Sequence, residues 1–201
     1  NGDRPTHPRL LDWLAVELME GGWNLKRLHR AMVSSESYRM ASQPATASAV
    51  DPENIYLWHF RERRLEAEVI RDSVLATSAE LDRSMGGKEI ADQHGLTVAR
   101  RSLYFETHGE GQMPWLQLFD AANPNECYRR STSVRPQQAL AFANSQLSLR
   151  QSRLLARRLH AELTTAQVVS DEPHDTAGQF IAAAFQQVLT RVPTSAERVA
   201  S

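Results

Sequence analysis

Over most of this chain apolar and polar positions alternate with the period of an α-helix. Leu10, Leu11, Leu14, Ala15 and Leu18 recur at helical spacing and stop at Gly21-Gly22. Thr6 ahead of Pro8 reads as a cap followed by a first-turn proline. Asn24 is placed to cap a second helix carrying Leu25, Leu28, Met32 and Val33 on one side. A linker of small residues spans 41–50, and Asp51-Pro52 then predicts a short helix through Leu57 and Trp58. The first hundred residues therefore predict a helical bundle.

A longer helix is expected from about Arg63 to Leu81. At 100° per residue Ala67, Ile70, Val74 and Leu81 share one face, and Leu65, Val69 and Ala76 form another. Two apolar faces predict a helix packed on both sides. Arg64, Glu68 and Arg71 lie between them at the i,i+4 and i,i+3 spacing of ion pairs. Glu66 and Ser73 lie on the other side, so Glu66 is expected to be half-buried and to need a cationic partner or a proton.

Met85-Gly86-Gly87 breaks the helical pattern, and a polar loop runs to about Thr97. Arg101 to Phe105 alternates and is rich in aromatics, which predicts a strand. Met113 to Phe119 reads as a helical turn, and an irregular loop over 120–135 contains Asn123-Pro124-Asn125. Pro136 predicts the first turn of a helix through Ala143, broken near Asn144-Ser145 and continuing to Leu163. There Leu155, Leu159 and Leu163 face inward, and Arg150, Arg153 and Arg157 share the opposite face. Phe180, Ile181, Ala184, Phe185, Val188 and Leu189 give one more amphipathic helix, ended by Val192-Pro193. Thr194 and Glu197 stand as a capping box with four residues after them, which reads as a helix cut short and hence as a piece of something longer. The expected fold is mainly α, an irregular helical bundle with one short β element and a long central loop. It forms one domain over 1–201, or one domain with lobes 1–99 and 100–201.

Composition narrows the chemistry. At 201 residues, 41% hydrophobic and 23% charged, the chain is an ordinary globular one with enough length for a core. No apolar run approaches the ~20 residues of a bilayer span. A single cysteine, Cys127, excludes an internal disulfide, a Cys-Cys metal knuckle and a Cys-x-x-Cys-His haem attachment within the chain, and reads as an inert thiol. The histidines 7, 29, 59, 94, 108, 160 and 174 include no pair at i,i+3 or i,i+4, so no local zinc motif exists. Neither a Gly-x-Ser-x-Gly elbow nor a complete glycine-rich phosphate loop is present, since Gly109-Glu110-Gly111 lacks the third glycine. No metal and no cofactor is assigned.

The net charge of −1 conceals a segregation. Of 23 basic residues 21 are arginine. Seven arginines and no acid lie between Cys127 and Ala161, whereas eight acids and four arginines lie between Asp51 and Asp82. The plain reading is that these segments pair within the fold; the sharper one is an anion or polyanion site. With no net basic charge and no recognition motif, nucleic acid is not the expected partner. Glu66, Asp72 and Asp120, with Arg71, Arg129, Arg130 and Arg135, remain as the candidate constellation. They would serve as an acid–base pair in a cleft, as an arginine-lined pocket for sulfate or carboxylate groups, or as a buried ion network that only fixes the fold. The last is the default.

Several ordered stretches carry a resemblance. They are Arg4-Pro5-Thr6-His7-Pro8 with Leu11 to Ala15, Gly22 to Lys26 with Leu28-His29-Arg30, Ser37-Tyr38-Arg39, Asp51 to Asn54 with Leu57-Trp58, and Arg63 to Asp72. Leu81-Asp82, Gly86-Gly87, Arg101 to Tyr104, Phe119-Asp120 and Arg135 to Leu140 with Asn144 complete the series. In this order they resemble the C-terminal domain of unknown function of large secreted planctomycete-type proteins that often carry an N-terminal cytochrome-c-like module. The resemblance implies an extracytoplasmic place in a multidomain protein and transfers no catalytic residue. The expected role is a non-catalytic structural or interaction module whose partners are other domains of the same polypeptide, including a cytochrome-c-like one. The rival is a carbohydrate-active enzyme using Glu66, Asp72 or Asp120 as acid or base. Arg129, Arg130, Arg135, Arg150, Arg153 and Arg157 are the candidates for contact with an anion, an acidic partner or a sulfated polysaccharide.

Overall fold

The computed structural model describes residues 4–42, 51–109, 111–125, 130, 132–168 and 175–200. It is mainly helical, and among the described residues β structure is confined to the isolated bridges Asp82–Arg100, Ile90–Phe105 and His108–Gly111. The chain divides into two compact units, Asn1–Arg63 and Arg64–Ser201. Cys127 lies outside the described residues.

The first unit holds α1 (Pro8–Glu20), α2 (Leu25–Val33) and α3 (Glu36–Arg39). The expected Thr6 cap is not made. His7 occupies the N-cap position of α1, and the Thr6 hydroxyl bonds its ring instead. Asn24 caps α2 as its side chain predicts, accepting from the Arg27 N–H at 3.1 Å. Gly22 turns the chain between the two helices at φ +68°, and an Arg27–Glu17 ion pair ties them.

The helix expected after Asp51-Pro52 is replaced by a knot of turns. The Asp51 carboxylate accepts the N–H groups of Ile55 (2.9 Å) and Tyr56 (2.8 Å), and its carbonyl accepts Trp58 Nε1 (3.0 Å). Asn54 and Leu57 adopt φ +54°, which ends helical propagation. The Asp51 carboxylate bonds N–H groups four and five residues on, rather than the two or three of a helix cap, and the expected helix does not form.

The second unit contains α4 (Ala67–Thr77), α5 (Pro114–Leu118), α6 (Pro136–Asn144), α7 (Gln146–Val168), α8 (Thr176–Leu189) and α9 (Ser195–Ala200). Its core joins Ala67 and Leu75 of α4 to Phe105, Met113, Trp115, Leu116, Phe119 and Leu147. Because α4 packs on α5, α7 and a 3-10 turn at Ser102–Tyr104, residues on both sides of position 99 belong to this one unit.

The expected helix over 63–81 is shorter at both ends. Residues 61–66 are not helical, with Glu66 the N-cap residue at ψ 151°, so Leu65 joins no helical face and is 56% exposed. The most buried stripe of α4 runs through Ala67, Arg71 and Leu75 rather than through two apolar faces. Arg71, read from the sequence as an i,i+3 ion-pair partner and as a member of a constellation whose default was a buried ion network, is fully buried. Its Nε donates to the Gly95 carbonyl (2.8 Å), Nη2 to Val98 (2.7 Å), and Nη1 to Arg100 (2.9 Å) and the Ser102 hydroxyl (3.2 Å). The guanidinium also lies 4.7 Å from the Phe105 ring centroid. A Cβ at Gly95 would fall 2.1 Å from Met113 Cε, so a larger residue there would force the buried Met113 side chain to move.

This arrangement explains why Arg101–Phe105 is not the expected strand. Asp72 Oδ1 takes the Ser102 N–H (2.8 Å) and hydroxyl (2.7 Å), while Arg71 takes the carbonyls of residues 98 and 100. Groups that a β-ladder would need are committed to α4, and the segment closes into a 3-10 turn.

The later helices follow the sequence closely. Pro136 opens α6, and the buried Gln138 ties it down, donating to the Leu118 carbonyl (2.9 Å) and accepting the Arg135 N–H (3.2 Å). The break falls at Ser145, whose hydroxyl accepts the Ser148 N–H (3.1 Å) in the first turn of α7. Ser78 donates to Gln151 at 2.6 Å, joining α4 to α7. Leu159 of α7 is buried, and Arg150, Arg153 and Arg157 are exposed. Thr194 and Glu197 make the reciprocal capping box, with Arg191 donating to both Glu197 oxygens (2.9 and 2.7 Å). The Arg191 and Thr194 contacts hold the Glu197 carboxyl at about 2.

A loop before this core is fixed from beneath. Arg100 Nη2 donates to the carbonyls of Ser84 (3.0 Å) and Gly86 (2.8 Å) and its guanidinium lies 4.2 Å from the Tyr104 ring centroid. The Tyr104 hydroxyl accepts the Gly86 N–H at 3.0 Å, leaving Met85 89% exposed at the tip.

Arg71→Met keeps most of the volume but leaves three inward carbonyls and Asp72 without their donor. A loss of about 3–5 kcal/mol is expected, read as the fall in the urea midpoint of the 201-residue chain. Unchanged stability would contradict the role given to Arg71.

Candidate functional site

The candidate carboxylates are distributed among three separate anchorages in the second unit. Asp72 belongs to the first. Besides Ser102 it meets Arg71 Nη1 at 3.5 Å and Arg101 Nε at 3.8 Å, with its side chain 19% exposed. It is the carboxylate that pins the 95–102 segment to α4.

Asp120 forms the second. It follows α5 at φ +62°, a left-handed turn that aspartate tolerates. One carboxylate oxygen accepts the Ser133 N–H and the other the Ser133 hydroxyl, both at 2.7 Å, while Arg64 Nη1 lies 3.5 Å away. Arg64 also donates to the Ser133 carbonyl. Burial pushes the Asp120 carboxyl up. The two Ser133 bonds and the Arg64 and Arg135 charges outweigh that and bring it below its ordinary value. Arg64 is thus not the i,i+4 partner of Glu68.

The third is centred on Arg130. It grips Glu68 through two bonds, Nη1 to Oε2 at 2.6 Å and Nη2 to Oε1 at 3.1 Å, the bidentate geometry guanidinium favours. Burial raises the Glu68 carboxyl, but Arg130 overcomes this and holds it low; Glu68 in turn raises Arg130. Glu66 lies 3.9 Å from Arg130 and its side chain is 47% exposed, so the expected half-buried carboxylate is a wetted one. The physical reason is the late start of α4: as its N-cap residue, Glu66 is not flanked by two helical faces.

Of the seven candidates for the constellation, the structure joins Arg71 to Asp72, brings Glu66 to Arg130, and sets Arg135 near enough to Asp120 to bias its charge. Arg129 lies outside the described residues. Ser102, Ser133 and Gln138 are participants that sequence reasoning missed, and Glu68, read as an ion-pair member, takes Arg130 rather than Arg64 or Arg71. Gln138 had a signal, as the third residue of a helix opened by Pro136, where a side chain can return to the cap. Ser102 and Ser133 had none, because their partners are 30 and 13 residues away. Among the described residues no group of three histidine, cysteine or carboxylate side chains could hold a metal ion.

A different feature lies on the outer face of α7. Arg150, Arg153 and Arg157 line a depression of about 640 Å³ with Asn144, Gln146, Leu149 and Leu154. It is open to solvent and has no carboxylate in its lining. Glu80 approaches Arg150 at 3.9 Å, whereas Arg153 and Arg157 form no ion pair among the described residues.

A family model described as "PSD1: Protein of unknown function (DUF1553)" matches residues 1–201. No curated protein and no solved structure matches the chain. No described helix is long and apolar enough to cross a membrane.

Asp120 and Glu68 have folded-state values below their ordinary 3.8 and 4.5. Their stabilisation is therefore complete above those ordinary values and is lost as the pH falls through the lowered ones. Urea titrations from pH about 6 down to about 2.5 should show a falling midpoint, with a shallower fall in Asp120→Asn, which starts lower at neutral pH. Identical pH profiles for the two proteins would refute the assignment. Glu66→Gln should cost no more than about 1 kcal/mol in the same assay, as suits an exposed pair.

Proposed function

We propose a non-catalytic role for this chain, which belongs to the PSD1 family of proteins of unknown function. It serves as a structural or interaction module of a larger exported multidomain protein. The observation that carries this reading is the commitment of the acids. Asp72 and Asp120 each accept a backbone N–H and a hydroxyl of one serine and face an arginine, and Glu66 shares the arginine that clamps Glu68. A general acid needs a proton to give near working pH, and a general base needs access to the proton it removes. Asp120 is held ionised and engaged at both oxygens, and the depression on α7 is lined by no acid at all.

The finer placement rests on the ordered series of motifs from Arg4 to Asn144. It is a C-terminal position in a large planctomycete-type secreted protein, extracytoplasmic, with a cytochrome-c-like module among its companions. Within such a protein the domain contributes helical structure and a surface.

The test is to incubate the 201-residue chain with neutral, carboxylated and sulfated polysaccharides and to follow the release of reducing ends. No release above the blank is expected from the wild type. Release that disappears in Asp120→Asn or Glu66→Gln while the circular dichroism stays native would overturn the reading in favour of a carbohydrate-active enzyme.

A further inference from the structure

Two groups of arginines in the second unit differ in what they face. Arg64, Arg71 and Arg130 point at carboxylates and carbonyls of their own unit. Arg150, Arg153 and Arg157 sit together on one face of α7 and are exposed, and two of the three have no ion-pair partner among the described residues. Like charges so close repel one another and destabilise a helix slightly. The sequence does nothing to offset this along the first four turns: from Gln146 to Ala161 it places Arg158 as a fourth cation and no acid. A solvated helix face ordinarily interleaves both signs.

The three guanidinium groups also share a concavity. With 1.5 Å of rise per residue, Arg150 and Arg157 are separated by about 10 Å along the axis, with Arg153 between them. The steps between neighbours are comparable to the advance of one sugar residue along an extended glycan. A row of cations in an open depression suits an extended chain bearing several charges better than an enclosed small anion. The remaining lining bears on the identity of that chain. Asn144 and Gln146 offer amide donors and acceptors, which match hydroxyl groups. Leu149 and Leu154 are the two apolar side chains among the seven that line it, fewer than the continuous stripe of an amphipathic acidic helix needs. Arginine rather than lysine at all three positions presents planar forks that bind sulfate and carboxylate oxygens in pairs.

We propose that the α7 depression, through Arg150, Arg153 and Arg157, is a binding site for an acidic polysaccharide carrying sulfate or uronate groups. The proposal deepens the reading of the domain as an interaction module and rests on it, by naming the class of partner that its surface takes.

Binding of the 201-residue chain to dextran sulfate, polygalacturonate, neutral dextran and polyglutamate can be measured by titration calorimetry or fluorescence anisotropy. Dextran sulfate or polygalacturonate should bind, with affinity falling as ionic strength rises from about 0.05 M to about 0.5 M. Neutral dextran should not bind. The triple variant Arg150→Ala, Arg153→Ala, Arg157→Ala should lose about tenfold or more in affinity, since each lost contact is a charge-assisted one. Removing three exposed arginines elsewhere, Arg9→Ala, Arg30→Ala and Arg83→Ala, changes the net charge equally and should leave binding nearly intact. All six positions are exposed, so both variants should keep the native circular dichroism. An equal loss in the two variants would reduce the effect to net charge and overturn the site. Tighter binding of polyglutamate than of either glycan would overturn the assignment to a polysaccharide. Absence of glycan binding at low salt would remove the site and leave the module reading standing, whereas release of reducing ends would remove the module reading and leave the binding result standing.

Discussion

A guanidinium group with no access to water is the constraint around which the second unit is arranged. Burying an arginine is costly unless each donor finds an acceptor. Arg71 meets that demand with the carbonyls of Gly95, Val98 and Arg100 and the Ser102 hydroxyl, all from one short segment. Burial pulls the Arg71 pKa down and Asp72 opposes it, so the neighbouring carboxylate both steadies the cation and fixes Ser102. Three inward-facing carbonyls dictate a backbone that neither helix nor strand would give. The 3-10 turn and the placement of Phe105 over the guanidinium follow from that demand. Lysine could not replace this group, since one ammonium cannot reach acceptors spread around a planar fork.

Most of the architecture was legible because helices depend on local pattern. The end of α6 at Asn144, the caps at Asn24 and Thr194 and the inward Leu159 all follow from spacing and side-chain chemistry within a few residues. The expectations that failed did so where a distant group intervened. Helical spacing offers Arg71 only Glu68 as a partner, and the tertiary fold supplies the acceptors it takes. Arg101 to Phe105 carries a strand pattern, but Asp72 has already taken its backbone donor. Asp51 bonds N–H groups four and five residues on rather than those of a helix cap, and Asn54 and Leu57 leave helical space immediately afterwards.

The same division holds for the candidate groups. The arginine row of α7 was readable because helical angle alone decides which side chains share a face. The partnerships of Asp120 with Ser133 and of Glu68 with Arg130 were not, because they join residues 13 and 62 apart. Glu66 drew attention on the assumption that its helix began about four residues earlier than it does. Its neighbour Glu68 proved to be the clamped carboxylate, two positions away and one turn into the same pattern. Inside the unit, then, the segregated charges act as fasteners, and on the outer face of α7 Arg153 and Arg157 form no ion pair among the described residues.

The loop around Gly86 shows the opposite economy to the core. Its course is set by glycine backbone, by the reach of Arg100 and by the Tyr104 hydroxyl, and none of these touches the side chain at position 85. Residue 85 therefore has no part in deciding where it stands. A fluorophore, a spin label or a crosslinker attached there would inherit a fixed position from its surroundings, making this tip a natural reporter site on a surface otherwise crowded with charge.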